Sequence, residues 1–225
     1  MIFLQIVTDA VTGPEPVADT SLSAVDLAIK GGFMMIPIAI LCVLAIYLFI
    51  ERILIINKAN QDPNDLMDRV KELVLKGDIK GAGILCSETD TPVARMIEKG
   101  ISRIGRPLKN IEASIENVGK IEVFKLEKNL ASLATIAGSA PMLGFLGTAI
   151  GMVEAFMSIS GEEGSVSPKL LSSGIYTALI TTVAGLIVGI LAYAAYNYLV
   201  SQVQKVIHKM EYTSTDFIDL LQEPR

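Results

Sequence analysis

The chain has 225 residues, 51% of them apolar, and a formal net charge of -5. A mean hydropathy of +0.51 is too high for an ordinary soluble domain. The charge is modest, and no basic tract or aromatic-basic pattern points to nucleic acid, so a nucleic-acid partner is not expected.

Taken in chain order, residues 1–32 form an N-terminal segment. Its start, Met1-Ile-Phe-Leu-Gln-Ile-Val7, is apolar but lacks a basic leader and is soon followed by Asp9, which suits a surface or amphipathic segment better than a cleavable signal. Residues 33–56 exceed the roughly 18 mostly apolar residues that a membrane crossing needs, and Arg52 beside Glu51 marks one edge of that span. Residues 57–129 are a hydrophilic, helical loop. Asp62-Pro63 opens a helix that stops at Gly77, Thr91-Pro92 repeats the device before a helix reaching Gly105, and Ile111, Ile115 and Val118 recur at helical spacing. No breaker follows before Pro141, so a single long helix is expected to enter the next span.

Residues 130–158 form the second apolar span, 159–169 a turn, and 170–199 the third span. The apolar run there outlasts one bilayer, so a helix is expected to continue into the tail at 200–225. In the second span apolar bulk keeps giving way to small residues. Ala140, Gly144, Gly147 and Gly151 fall three or four apart and form a stripe where another backbone can approach closely. Gly174, Gly185 and Gly189 do the same in the third span, on a stripe shared with Ala178 and Thr182. The fold class is therefore an all-α membrane protein with three transmembrane helices and long cytoplasmic helical extensions.

Lys58, Lys120, Lys125 and Lys128, with Lys205 and Lys209, crowd one side of the spans, against Lys30 and Lys169 on the other. The positive-inside rule then puts the long loop and C-terminus in the cytoplasm and the N-terminus and the 159–169 turn outside. Cys42 and Cys86 are expected to be ordinary thiols, one in a span and one in the loop. No phosphate loop, metal-ligand cluster or nucleophile-base arrangement is present. No cofactor, metal or enzymatic activity is expected.

Two stretches carry a family likeness. Ala140-Pro-Met-Leu-Gly-Phe-Leu-Gly-Thr-Ala-Ile-Gly-Met-Val-Glu-Ala-Phe156 resembles the core of the MotA/TolQ/ExbB family, membrane scaffolds of ion-driven motors. Gly174-Ile-Tyr-Thr-Ala-Leu-Ile-Thr-Thr-Val-Ala-Gly-Leu186, followed by Ala195-Tyr-Asn197, is similar to the third span of ExbB and TolQ. The resemblance implies a multi-pass protein of the bacterial inner membrane that forms a homopentamer, with the second and third spans lining a pore. It implies a single-span partner like ExbD or TolR, bearing a membrane Asp, and a protein like TonB or TolA beyond it. The transported ion would be H+ or Na+, and the output TonB-dependent import, Tol-type envelope maintenance or another envelope motor. A passive ion channel and a purely structural scaffold are the alternatives. The pattern commonly has Glu where this chain has Thr177, and Thr cannot titrate.

The deepest polar groups in these spans are Thr148, Thr177, Thr181 and Thr182. A membrane threonine ordinarily bonds the carbonyl about four residues back. The resemblance instead makes Thr148 and Thr182 pore-facing members of an ion path, with Thr181 and Thr177 next in line. Glu154 is expected at the outer mouth near Glu162 and Glu163, either as an interface anchor or in a ring of cation-attracting carboxylates. Unpaired at the bilayer centre it would cost on the order of 2.5–3.5 kcal/mol. His208 is expected to be an exposed tail residue. Membrane lipid is the remaining expected partner.

Overall fold

The computed structural model of the chain describes residues 31–160 and 168–222, and among these there are helices and turns but no strand. The N-terminal reading for 1–30 and the acids Glu162 and Glu163 lie outside the described residues. Among the described residues seven helices follow one another: α1 Met35–Ala59, α2 Asn64–Leu75, α3 Ile79–Glu88, α4 Pro92–Ile101, α5 Leu108–Glu127, α6 Leu130–Ser160 and α7 Pro168–Gln222. Three helical runs, carried by α1, α6 and α7, are long and apolar enough to cross a membrane. On α1, Ile36, Ile40, Val43, Tyr47, Ile50 and Leu54 stay exposed, as side chains facing lipid tails would.

The short helices of the loop obey local chemistry. The Asp62 carboxylate accepts from the Asn64 amide at 3.1 Å, and α2 ends at Gly77, whose φ of +81° a side chain would resist. The Thr91 hydroxyl accepts from the Ala94 amide at 3.3 Å, with Pro92 in the first turn of α4. Helix α4 stops at Ile101, earlier than the spacing suggested, and a turn carries the chain to Gly105 at φ +94°. Helix α3 was not anticipated. Asp78 caps it by accepting from the Gly81 amide at 2.9 Å.

The expected continuous helix through the loop into the second span is broken between α5 and α6. Lys128 turns extended at ψ 138°, and Asn129 sits at φ +66°, a region that Asn enters more readily than most residues. The break is stapled from α1. Arg52, only 3% exposed, donates through Nη1 to the Lys125 carbonyl at 3.2 Å and through Nη2 to Glu51 at 2.6 Å. The Asn129 amide donates to the other Glu51 oxygen at 3.2 Å. A carbonyl orphaned at the end of α5 thereby gains a charged donor.

Helix α7 is the hub, touching α1, α2, α4, α5 and α6. Beyond its apolar run it buries Leu199, Val203, Val206, Met210, Thr213, Phe217 and Leu220. The steps alternate four and three, the signature of a heptad seam. Phe217 is fully buried beside Gly100 and Ile115, and a Cβ on Gly100 would come within 2.7 Å of its ring. The Lys209 ammonium reaches the end of α1, donating to the Asn60 carbonyl at 2.9 Å and its side-chain oxygen at 2.8 Å. The α5 seam of Ile111, Ile115 and Leu126 contains one charge, Glu122, itself 3% exposed.

That carboxylate is held by Arg95 at 2.6 Å and Lys125 at 2.7 Å, and Arg95 also bonds Asp90 at 2.5 Å, which Lys58 holds at 2.6 Å. Burial pushes the Glu122 carboxyl up, but the hydrogen bonds and charges of Arg95 and Lys125 outweigh it, and the net shift is downward. The carboxylate form therefore stabilises the fold fully above the unfolded value of 4.5, and that contribution fades as the pH falls through the lower folded value. Replacing Glu122 by Gln should lower stability by about 1–3 kcal/mol at neutral pH. The gap to wild type should close on acidification in thermal melts of the detergent-purified protein, and a constant gap across pH 3 to 7 would contradict the assignment.

Candidate functional site

Helices α6 and α7 share the most extensive contact in the molecule, and glycine sets its closeness. A Cβ on Gly144 would lie 2.9 Å from the Thr181 carbonyl oxygen, and one on Gly185 would lie 2.6 Å from the Ala140 carbonyl oxygen. Neither separation is tolerable for backbone atoms, so only hydrogen fits. Gly147 faces the Thr181 side chain, Gly151 faces Ala178, and Gly174 faces Ala155. Gly189 abuts the ring of Pro141 and the Ala137 carbonyl, the oxygen that Pro141 cannot bond within α6. All seven small residues named from the sequence thus lie on the α6–α7 line.

Three hydroxyls meet where the two backbones approach. Thr148 Oγ1 donates toward the Gly144 carbonyl at 3.2 Å and lies 3.3 Å from the Ala178 carbonyl. Thr182 Oγ1 reaches across the helices to the Gly144 carbonyl at 3.1 Å and hydrogen-bonds Thr148 Oγ1. Thr181, 1% exposed, donates to the Ala178 carbonyl at 2.7 Å and lies 3.5 Å from the Gly144 carbonyl. The ordinary back-bonding habit accounts for Thr181 and for one Thr148 contact, but not for the bond of Thr182 across to α6. Thr177 is not in this group. It is half-buried, its methyl carbon would lie 3.8 Å from a Cβ on Gly32, just before α1, and its hydroxyl has no hydrogen bond among the described residues.

Three hydroxyls and two carbonyls bring more lone pairs than protons to one spot. Such a group can orient water or coordinate a cation, but its hydroxyls neither gain nor lose a proton at working pH. Glu154 lies apart, exposed near the end of α6. His208 is exposed on α7. Cys42 and Cys86 are both free, and Cys86 is buried, with burial and nearby Glu98 pushing its thiol up to about 11. Among the described residues no His, Cys, Asp and Glu cluster could hold a metal. Sequence reasoning missed the Glu51–Arg52–Asn129 staple and the seam charge Glu122. Glu122 did leave a trace, as an acid four residues before Leu126 on the Ile111–Ile115 stripe.

These features define a multi-pass, all-helical membrane protein organised around a glycine-lined helix pair. The chain belongs to the MotA/TolQ/ExbB proton channel family, whose model matches residues 88–212, from the end of α3 to well beyond the apolar part of α7. It is similar to a biopolymer transport protein ExbB homolog of Methanothermobacter thermautotrophicus, with 27% identity over 88% of this chain and 70% of the relative. It is similar to biopolymer transport protein ExbB of Aquifex aeolicus, with 34% identity over 62% of this chain and 88% of the relative. A third relative, the Tol-Pal system protein TolQ of Haemophilus influenzae, is 38% identical over 38% of this chain and 37% of its own length.

Adding bulk at the crossing should be costlier than removing a hydroxyl. Gly185→Val is expected to lower stability by about 1–3 kcal/mol through overpacking, and Thr148→Val, which is nearly the same size, by less. Circular-dichroism melts in detergent test this, and an unchanged melting temperature for Gly185→Val would refute the close approach.

Proposed function

We propose that this chain is an ExbB/TolQ-like scaffold subunit of an ion-driven motor in the bacterial inner membrane, assembling as a homopentamer and doing mechanical work on the cell envelope. The observation that carries this reading is that the family-matching stretch takes in the α6–α7 crossing and its partly buried hydroxyl group. In the proposed topology the long loop and the extension of α7 lie in the cytoplasm, as the lysines at the span ends favour. The partner is a single-span protein of the ExbD or TolR kind with a membrane Asp, acting in turn on a TonB-like or TolA-like protein. TonB-type import and Tol-type maintenance are both open to such a subunit, and the relatives include proteins named for each.

Within the motor, Thr148 and Thr182 are proposed to border the ion path, with Thr181 supporting them from within the interface and Thr177 nearer the outer end. Glu154 would attract cations at the mouth. None of the hydroxyls titrates in the working range, so the partner's Asp would carry the proton. A membrane potential of about 100 mV supplies about 2.3 kcal/mol per charge, so sustained work requires repeated ion steps, which suits a stepping ring. Thr148→Val and Thr182→Val should each reduce motor output in cells several-fold while the complex still assembles. Full output with both replacements would refute the ion-path role.

Sodium is the second reading, favoured by Thr177 in place of the family's Glu and by the all-oxygen character of the hydroxyl group. Exchanging sodium for potassium under a fixed proton gradient should leave a proton motor running and stop a sodium motor. A passive channel would conduct when purified alone in liposomes, whereas the proposed subunit should leak little without its partner. A purely structural scaffold would tolerate removal of all four threonine hydroxyls.

A further inference from the structure

A slot of about 410 Å³ runs between α1 and α7, and Cys42, Ala45, Phe49, Ala192, Ala195 and Tyr198 form much of its wall. Three of these six are alanines, whose small side chains narrow neither wall, and Ala45 and Ala192 are themselves buried. The two helices run in parallel here, with the ring of Phe49 6.4 Å from that of Tyr198 at the end nearest the extramembrane helices. From Val188 to Tyr198, both on the wall, α7 rises about 15 Å. That is half of the roughly 30 Å hydrocarbon core, the depth of one leaflet.

Beyond the slot stand polar groups that can all donate hydrogen bonds. Tyr198 is 47% exposed, and its hydroxyl has no hydrogen-bond partner among the described residues. One and two turns further along the same face stand Gln202 and Lys205. Lys205 is exposed and has no acidic partner among the described residues. Seven residues on from Tyr198, Lys205 shares its face of α7 about 10 Å further along the axis, and side chains on a helix lean toward its N-terminus, the direction of the slot. An apolar trough one leaflet deep, with a free phenol and a free ammonium at its polar end, matches a single amphiphile of opposite charge.

We propose that the α1–α7 slot holds one acyl chain of an anionic phospholipid, with its headgroup phosphate against Lys205 and the Tyr198 hydroxyl. The site lies away from the α6–α7 hydroxyl group and does not depend on which ion the protein uses. An acyl chain there lies between α1 and the α7 rod, along the wall that Phe49, Ala195 and Tyr198 help to form.

The test is native mass spectrometry of the full chain purified in mild detergent and mixed with equal amounts of phosphatidylglycerol and phosphatidylcholine. Wild type should retain phosphatidylglycerol over phosphatidylcholine by about fivefold, the effect of one basic residue at a membrane surface. Ala195→Phe, which fills the slot, should lose most retention of both lipids, with helical content and oligomer mass unchanged. Ala45→Leu fills it from the opposite wall, in case the first variant folds poorly. Lys205→Gln should keep retention but lose the preference. Undiminished retention by both filled variants would overturn the proposal. So would a filled variant that breaks the oligomer and leaves lipid bound, since the slot would then belong to a neighbouring copy.

Discussion

The approach of two backbones across the α6–α7 line is the constraint on which the rest of the molecule depends. Within a membrane there is no hydrophobic drive to bring helices together, because lipid is as apolar as leucine. Association must come from contact that only small residues permit. Gly144 and Gly185 meet almost backbone to backbone, and this closeness lets Thr182 reach a carbonyl of the facing helix. The hydroxyl group is thus a product of the glycine stripe, not a separate feature. A larger residue at either glycine would remove both at once.

Outside the membrane a different force holds register. The buried steps of α7 from Leu199 to Leu220 form a heptad seam that α4, α5 and the end of α1 cover, and this is ordinary burial from water. Helix α7 belongs to both regimes, a 55-residue rod roughly 80 Å long. The junction between the regimes is fixed by charge. Arg52, Glu51 and Asn129 tie α1 to the α5–α6 break, and Lys209 ties α7 to the end of α1. A displacement imposed on the seam therefore has a stiff route to the glycine crossing.

Much of this was legible in the sequence because its signals are local. Apolar length marks a span, Asp62-Pro63 and Thr91-Pro92 mark helix starts, and glycines three or four apart mark a close-packing face. The α5–α6 break was not legible. It depends on a lone Asn adopting positive φ while Glu51, 78 residues earlier, accepts from its amide, and no window along the chain contains both. Glu122 was hidden for the same reason, since a carboxylate on an apolar seam makes sense only once Arg95 is seen folded against it. The hydroxyl group was half legible. The threonines stood out as polar groups in lipid, but the separation of Thr177 from the other three follows from the placement of α1, which spacing within α7 cannot convey.

The distribution of charge completes the physical picture. The ion pairs among the described residues all lie at or beyond the α1 and α5 boundary, whereas the α6–α7 crossing holds neutral oxygen alone. A titratable group there would change its charge with each proton and alter the packing of the most tightly joined helices in the protein. Neutral hydroxyls can rotate and exchange partners without any such change. On the proposed reading this divides the labour: the chain supplies a wall whose electrostatics stay constant through a cycle, and the group that gains and loses charge sits on the element that moves against it. On that reading each ion meets the same neutral surface as the last, whereas a Glu at the position of Thr177 would present one that changes with its own protonation.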